Sequence, residues 1–118
     1  MENIVFLDRK TVKADFKTPS FPHEWLDFEM TNKVEVIERL KDATIAITNK
    51  VQIRKEEIDQ LPNLRLIQVA ATGTDCVDSK YCREKGIIVS NIRNYSTISV
   101  SEHVFSYILA LRRNLFSN

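Results

Sequence analysis

Val69-Ala70-Ala71-Thr72-Gly73-Thr74-Asp75 is the stretch of this chain best suited to hold an anion. It closes an apolar run, Leu64 to Ala70, that reads as a strand. A strand stopping at a small-residue turn leaves peptide N–H groups pointing off the carboxyl edge of its sheet. Glycine there lets a ligand approach those groups with no Cβ in the way. Gly73 is one of only two glycines in the chain, so its place in this turn is informative. Turn chemistry alone leaves two uses open, a carboxylate-binding turn or a plain strand-to-helix turn that needs a glycine. Asp75 reads as a cap on the following helix or as a partner to a nearby N–H.

The other residues with chemical potential are fewer. His103 follows Ser99-Val100-Ser101-Glu102, whose spacing is a capping box, so His103 and Glu102 read as a helix-start pair rather than as an acid–base couple. His23 sits in a segment with Pro19 and Pro22 and reads as solvent-exposed. Neither histidine has a nucleophile or metal partner in sequence. Cys76 and Cys82 are too few for a metal cluster and read as packing thiols in a reducing compartment. A dinucleotide fingerprint needs three closely spaced glycines, and with only Gly73 and Gly86 it cannot be written. The chain alone is therefore expected to bind no NAD.

The elements that must position these residues alternate in type. Ile4 to Leu7 reads as a buried parallel strand ending at Asp8, and Trp25 to Met30 as a second strand. Asn32 and Glu35 have capping-box spacing at the start of a helix to about Lys41, with Val34, Ile37 and Leu40 as its apolar face. Thr44 to Thr48 is the next strand, and Arg54 to Gln60 a short helix stopped before Pro62. After Leu64–Ala70 come a helix near 78–85, with Gly86 at its end, and a fifth strand at Ile87–Val89. Residues 99–116 form the longest helix, with Val100, Val104, Tyr107, Ile108, Leu111 and Leu115 on one face. This alternation predicts an α/β fold: a flavodoxin-like, doubly wound parallel sheet of about five strands with a long C-terminal helix. Ligands of such sheets collect at the carboxyl ends of the strands, here Asp8 onward, 48–50, 71–75 and 91–97.

Bulk properties narrow the partners. The 118 residues suffice for one domain with its own core, and 28% charged with 43% hydrophobic side chains is ordinary for a globular protein. Seventeen basic and sixteen acidic side chains give a net charge of +1, which argues against nucleic acid or an anionic membrane as main partner. Apolar runs are too short to span a bilayer and the N-terminus lacks a signal-peptide pattern, so a cytoplasmic location is the expectation.

Three segments taken together resemble one family. Leu64 through Asp75, Gly86-Ile87-Ile88-Val89-Ser90-Asn91, and Asn94 to Thr97 with Val100-Ser101-Glu102-His103 are similar to the substrate lobe of D-isomer-specific 2-hydroxyacid dehydrogenases. The similarity covers roughly residues 61–116 and is greatest to the glycerate dehydrogenase and hydroxypyruvate reductase branch. Ser101 stands where that family usually has alanine, a small change.

The resemblance implies an oxidoreductase moving a hydride between NAD(P)H and a small 2-keto or 2-hydroxy acid. It implies that the amides of Thr72 and Gly73 hold the substrate carboxylate and that Asn49 and Lys50 lie near the substrate. Thr97 and Val100 would lie near the nicotinamide. It divides the chain into a substrate-binding lobe, 1–98, and an interdomain helix, 99–118, leading to a NAD-binding domain outside the chain. The catalytic arginine, acid and histidine of the family fall beyond Asn118, so the chain alone is expected to be inactive. The apolar stripe of the last helix predicts a homodimer.

Rival uses of the fold fit less well. A phosphoreceiver needs an acid after the third strand and a lysine after the fifth, where Thr48 and Ser90-Asn91 stand. A flavodoxin needs a hydroxyl-rich loop after strand one, where Asp8-Arg9-Lys10-Thr11 offers a single hydroxyl. The serious alternative is a non-catalytic small-carboxylate-binding module or the product of a truncated gene.

Overall fold

A computed structural model describes residues 2–12, 22–70 and 73–91 of the chain. Five strands, β1 (Glu2–Phe6), β2 (His23–Asp27), β3 (Ile45–Thr48), β4 (Leu66–Val69) and β5 (Ile88–Asn91), form one sheet in the order β2-β1-β3-β4-β5. Every neighbouring pair is parallel, and this is the flavodoxin-like order that the sequence predicts. Continuous apolar runs make the central strands because both faces are covered: every residue of β3 and β4 is buried.

Three short helices, α1 (Val36–Leu40), α2 (Lys55–Ile58) and α3 (Ser79–Glu84), connect the strands. Their apolar residues Val36, Leu40, Ile58 and Cys82 meet Val5, Leu7, Ala46, Ile67 and Val69 in one core. The alternate residues of the strands, Ile4, Phe6, Ile45, Ile47 and Leu66, build a second core on the opposite face with Val12, Trp25 and Ile88. The split follows from the two-residue period of a strand. The long helix expected at 99–116 lies outside the described residues.

Local differences from expectation have identifiable causes. Val34 is 87% exposed, and Val36 instead joins Leu40 in the core. The helix opens with a 3-10 turn at Lys33–Glu35, which shifts the phase of the buried stripe. The capping interaction is present, with Asn32 N–H donating to Glu35 Oε1 at 3.0 Å. Glu35 also pairs with Arg39 at 2.8 Å, and the Arg39 guanidinium lies 4.0 Å from the Phe28 ring centre. β2 ends at Asp27 rather than at Met30, although Phe28 and Glu29 still exchange backbone hydrogen bonds with the segment that follows β1. Asp78, not Asp75, caps α3, accepting from Tyr81 N–H at 3.2 Å. Gly86 ends that unit with φ +78°, a conformation that side chains bearing a Cβ rarely adopt.

Candidate functional site

The parallel sheet brings the ends of β1, β3 and β4 to one edge, and a hydrogen-bonded network joins the loops there. Asp8, directly after β1, is fully buried. Its Oδ1 accepts Asn49 N–H at 2.9 Å, and its Oδ2 accepts Lys50 N–H at 2.7 Å and Val51 N–H at 3.3 Å. The Asp8 carbonyl accepts from the Thr11 hydroxyl at 2.8 Å and from Thr11 N–H at 3.0 Å. Thr48, at the end of β3, donates its hydroxyl to the Val51 carbonyl at 2.9 Å.

The β3 loop then leans on the segment after β4. Ile53 pairs with Val77 as a parallel bridge, Ile53 N–H donates to the Cys76 carbonyl at 2.9 Å, and Asp78 N–H donates to the Ile53 carbonyl at 3.2 Å. The Arg54 guanidinium donates to the Asp75 carbonyl. Val77 N–H closes the turn onto the Thr74 carbonyl at 3.0 Å. Gly73 therefore stands in a loop fixed downstream at Thr74 to Asp78 by contacts from the neighbouring strand end.

Gly73 is exposed at this edge, and no contact among the described residues requires a glycine there. A Cβ built on it meets, among the described residues, only Asp75 Oδ2 at 3.9 Å, an ordinary contact.

The structure places Asn49 and Lys50 on the same edge in different roles. Asn49 commits its N–H to Asp8 and its side-chain Nδ2 to the Thr11 hydroxyl at 3.0 Å, so it acts as a brace for the loop. Lys50 gives its N–H to Asp8 while its side chain is exposed, and its ammonium makes no ion pair among the described residues. Thr72, Thr97 and Val100 lie outside the described residues.

Sequence reading missed Asp8 and Arg54 as organisers of the site. An acid immediately after a buried strand was the available signal for Asp8. Its partners are backbone groups more than forty positions away, which no local pattern reveals. A broad surface depression lies elsewhere, toward the amino ends of the strands, with Asn3, Trp25, Arg39 and Thr44 in its lining. The carboxyl edge is the better candidate because open parallel sheets aim their free peptide groups there.

The thiols have no visible chemical role. Burial pushes the Cys82 thiol up to about 11 and raises that of Cys76, so both stay protonated and unreactive near neutrality. Among the described residues no group of three or more His, Cys, Asp or Glu could hold a metal ion, and no helix is long and apolar enough to cross a membrane.

Comparison with known proteins decides the family. The profile of the D-isomer specific 2-hydroxyacid dehydrogenase catalytic domain matches residues 4–114. The chain belongs to that family. It is 48% identical over 113 residues to a glycerate dehydrogenase of Methylorubrum extorquens, a match covering 95% of this chain and 36% of the relative. Identity to a hydroxypyruvate reductase of Blautia hydrogenotrophica is 40% over 82 residues, covering 70% of this chain and 26% of that protein. Among solved structures, a NAD-dependent formate dehydrogenase from Staphylococcus aureus in complex with NAD superposes with a TM-score of 0.62 at 25% identity. That match covers 96% of this chain and 39% of the other. The chain thus spans about a third of the length of the relatives it matches first.

Proposed function

We propose that this chain is the substrate lobe of a NAD(P)-dependent 2-hydroxyacid dehydrogenase acting on a small acid of the glycerate/hydroxypyruvate kind. The peptide N–H groups of Thr72 and Gly73 hold the substrate carboxylate at the carboxyl edge of the sheet. Lys50, exposed on the same edge, adds positive field, and Asn49 braces its loop. Thr97 and Val100 face the nicotinamide from the substrate side. In the complete enzyme the nicotinamide supplies hydride chemistry at carbon 2 of the acid. This lobe contributes orientation: fixing the carboxylate fixes which face of carbon 2 is presented. The assembly is a cytoplasmic homodimer.

The observation that carries the reading is Gly73. An exposed glycine whose missing Cβ meets no crowding neighbour among the described residues fits a ligand that needs the space. The test is Gly73→Val in the enzyme carrying this lobe together with its cofactor domain. Because the position is exposed, stability should change by no more than about 0.5 kcal/mol. The kcat/KM for hydroxypyruvate should fall by about 100-fold or more, since the blocked carboxylate can no longer be oriented. Near-normal kcat/KM in the folded variant would sink the assignment.

A further inference from the structure

Three consecutive peptide N–H groups, those of Asn49, Lys50 and Val51, turn inward onto one anion. Such a concavity of backbone donors is what proteins elsewhere offer to a bound anion. Here the anion is the protein's own Asp8 carboxylate, fully buried at the end of β1. Both carboxylate oxygens are used, and the loop around them is pinned a second time. Asn49 Nδ2 reaches the Thr11 hydroxyl at 3.0 Å, and the Thr48 hydroxyl reaches the Val51 carbonyl at 2.9 Å. From Ile53 and Arg54 the same loop continues onto the carbonyls of Cys76 and Asp75, which lie just past Gly73.

We propose that Asp8 is a positioning residue of the substrate site, an internal anion that fills the donor concavity of Asn49–Val51 and so reserves external carboxylate for the Gly73 turn. The proposal rests on the reading of that turn as the carboxylate site. Asp8 acts in two ways. It keeps a competing anion from settling two residues away from Thr48, where it would not be aligned for reaction. It also fixes the segment that carries Lys50 and, through Ile53 and Arg54, supports the turn beyond Gly73. A brace with no part in anion selection would affect only stability.

The two differ in a titration of the 15N-labelled chain with sodium glycolate, followed at assigned amides. In the wild-type chain glycolate shifts the Gly73 amide and leaves Asn49, Lys50 and Val51 unmoved. In Asp8→Ala the vacated donors accept the external carboxylate, so the amides of Asn49, Lys50 and Val51 become glycolate-responsive. In the same variant affinity at Gly73 weakens by about tenfold, the worth of one lost charge-assisted hydrogen bond. Asp8→Asn, which keeps the volume and loses the charge, serves if the alanine variant does not fold, and weakens binding at Gly73 in the same way. Val36→Ala, a core change in α1 that touches none of the Asp8 hydrogen bonds, controls for lost stability and keeps wild-type binding. Unresponsive Asn49–Val51 amides in a folded Asp8→Ala chain overturn the proposal. So does Gly73 affinity in Asp8→Ala or Asp8→Asn no weaker than in Val36→Ala. Absence of any shift at Gly73 in the wild-type chain is a different result, which overturns the carboxylate reading itself and the proposal with it.

Discussion

Gln68 is a polar side chain in an apolar place. It lies in β4 between Ile47 of β3 and Ser90 of β5, fully buried, and neither its Nε2 nor its Oε1 has a hydrogen-bond partner among the described residues. A buried amide without partners destabilises the fold by roughly 1–3 kcal/mol relative to a satisfied one. Gln68→Met keeps the length and removes the orphaned atoms. Urea unfolding should show the variant more stable by about 1 kcal/mol. A destabilised variant would mean that the amide is satisfied in the folded protein. Asp8 shows the opposite solution to burial, with a charge that has its acceptors filled by donors from another loop. Neither outcome can be read from residue type. Acid and amide each follow or interrupt an apolar run, and only the third dimension says which finds partners.

Elements were readable where local rules suffice. β3 and β4 have four residues each, and their unbroken apolar character marks them as central. Gly86 marks the end of α3 because the backbone there is left-handed. Gly86→Ala places a Cβ in open space but still in that conformation, so the strain is local. It should lower stability by about 1 kcal/mol in urea unfolding, while Gly86→Asn should lose less, since asparagine tolerates the left-handed region better. Equal losses would assign the effect to something other than backbone conformation. The register of α1 was not readable. Val34 and Val36 both fit an apolar stripe, and the 3-10 turn at Lys33–Glu35 chooses Val36. Likewise Asp75 and Asp78 are both acceptable caps by type, and Asp78, directly after the Ile53–Val77 bridge, is the one that accepts from Tyr81 N–H.

For the molecule as a whole, the sheet order and the family were legible, and the division of labour at the carboxyl edge was legible only in part. Gly73 stood out because glycine is scarce here and follows a buried strand. Asn49 and Lys50 were drawn to the site by resemblance, and the structure separates a committed brace from an exposed cation. Asp8 and Arg54 escaped because they act on backbone atoms distant in sequence. The proposed function unites these residues in a lobe that would recognise the carboxylate and leave the dinucleotide to another domain. Titration of the 15N-labelled chain with hydroxypyruvate, and separately with NADH, tests that division most directly. The account predicts saturable shifts centred on the amides of Thr72 and Gly73 with hydroxypyruvate, and none with NADH. Shifts clustered instead at Asn3, Trp25 and Thr44, at the amino end of the sheet, or a saturable response to NADH, would contradict it.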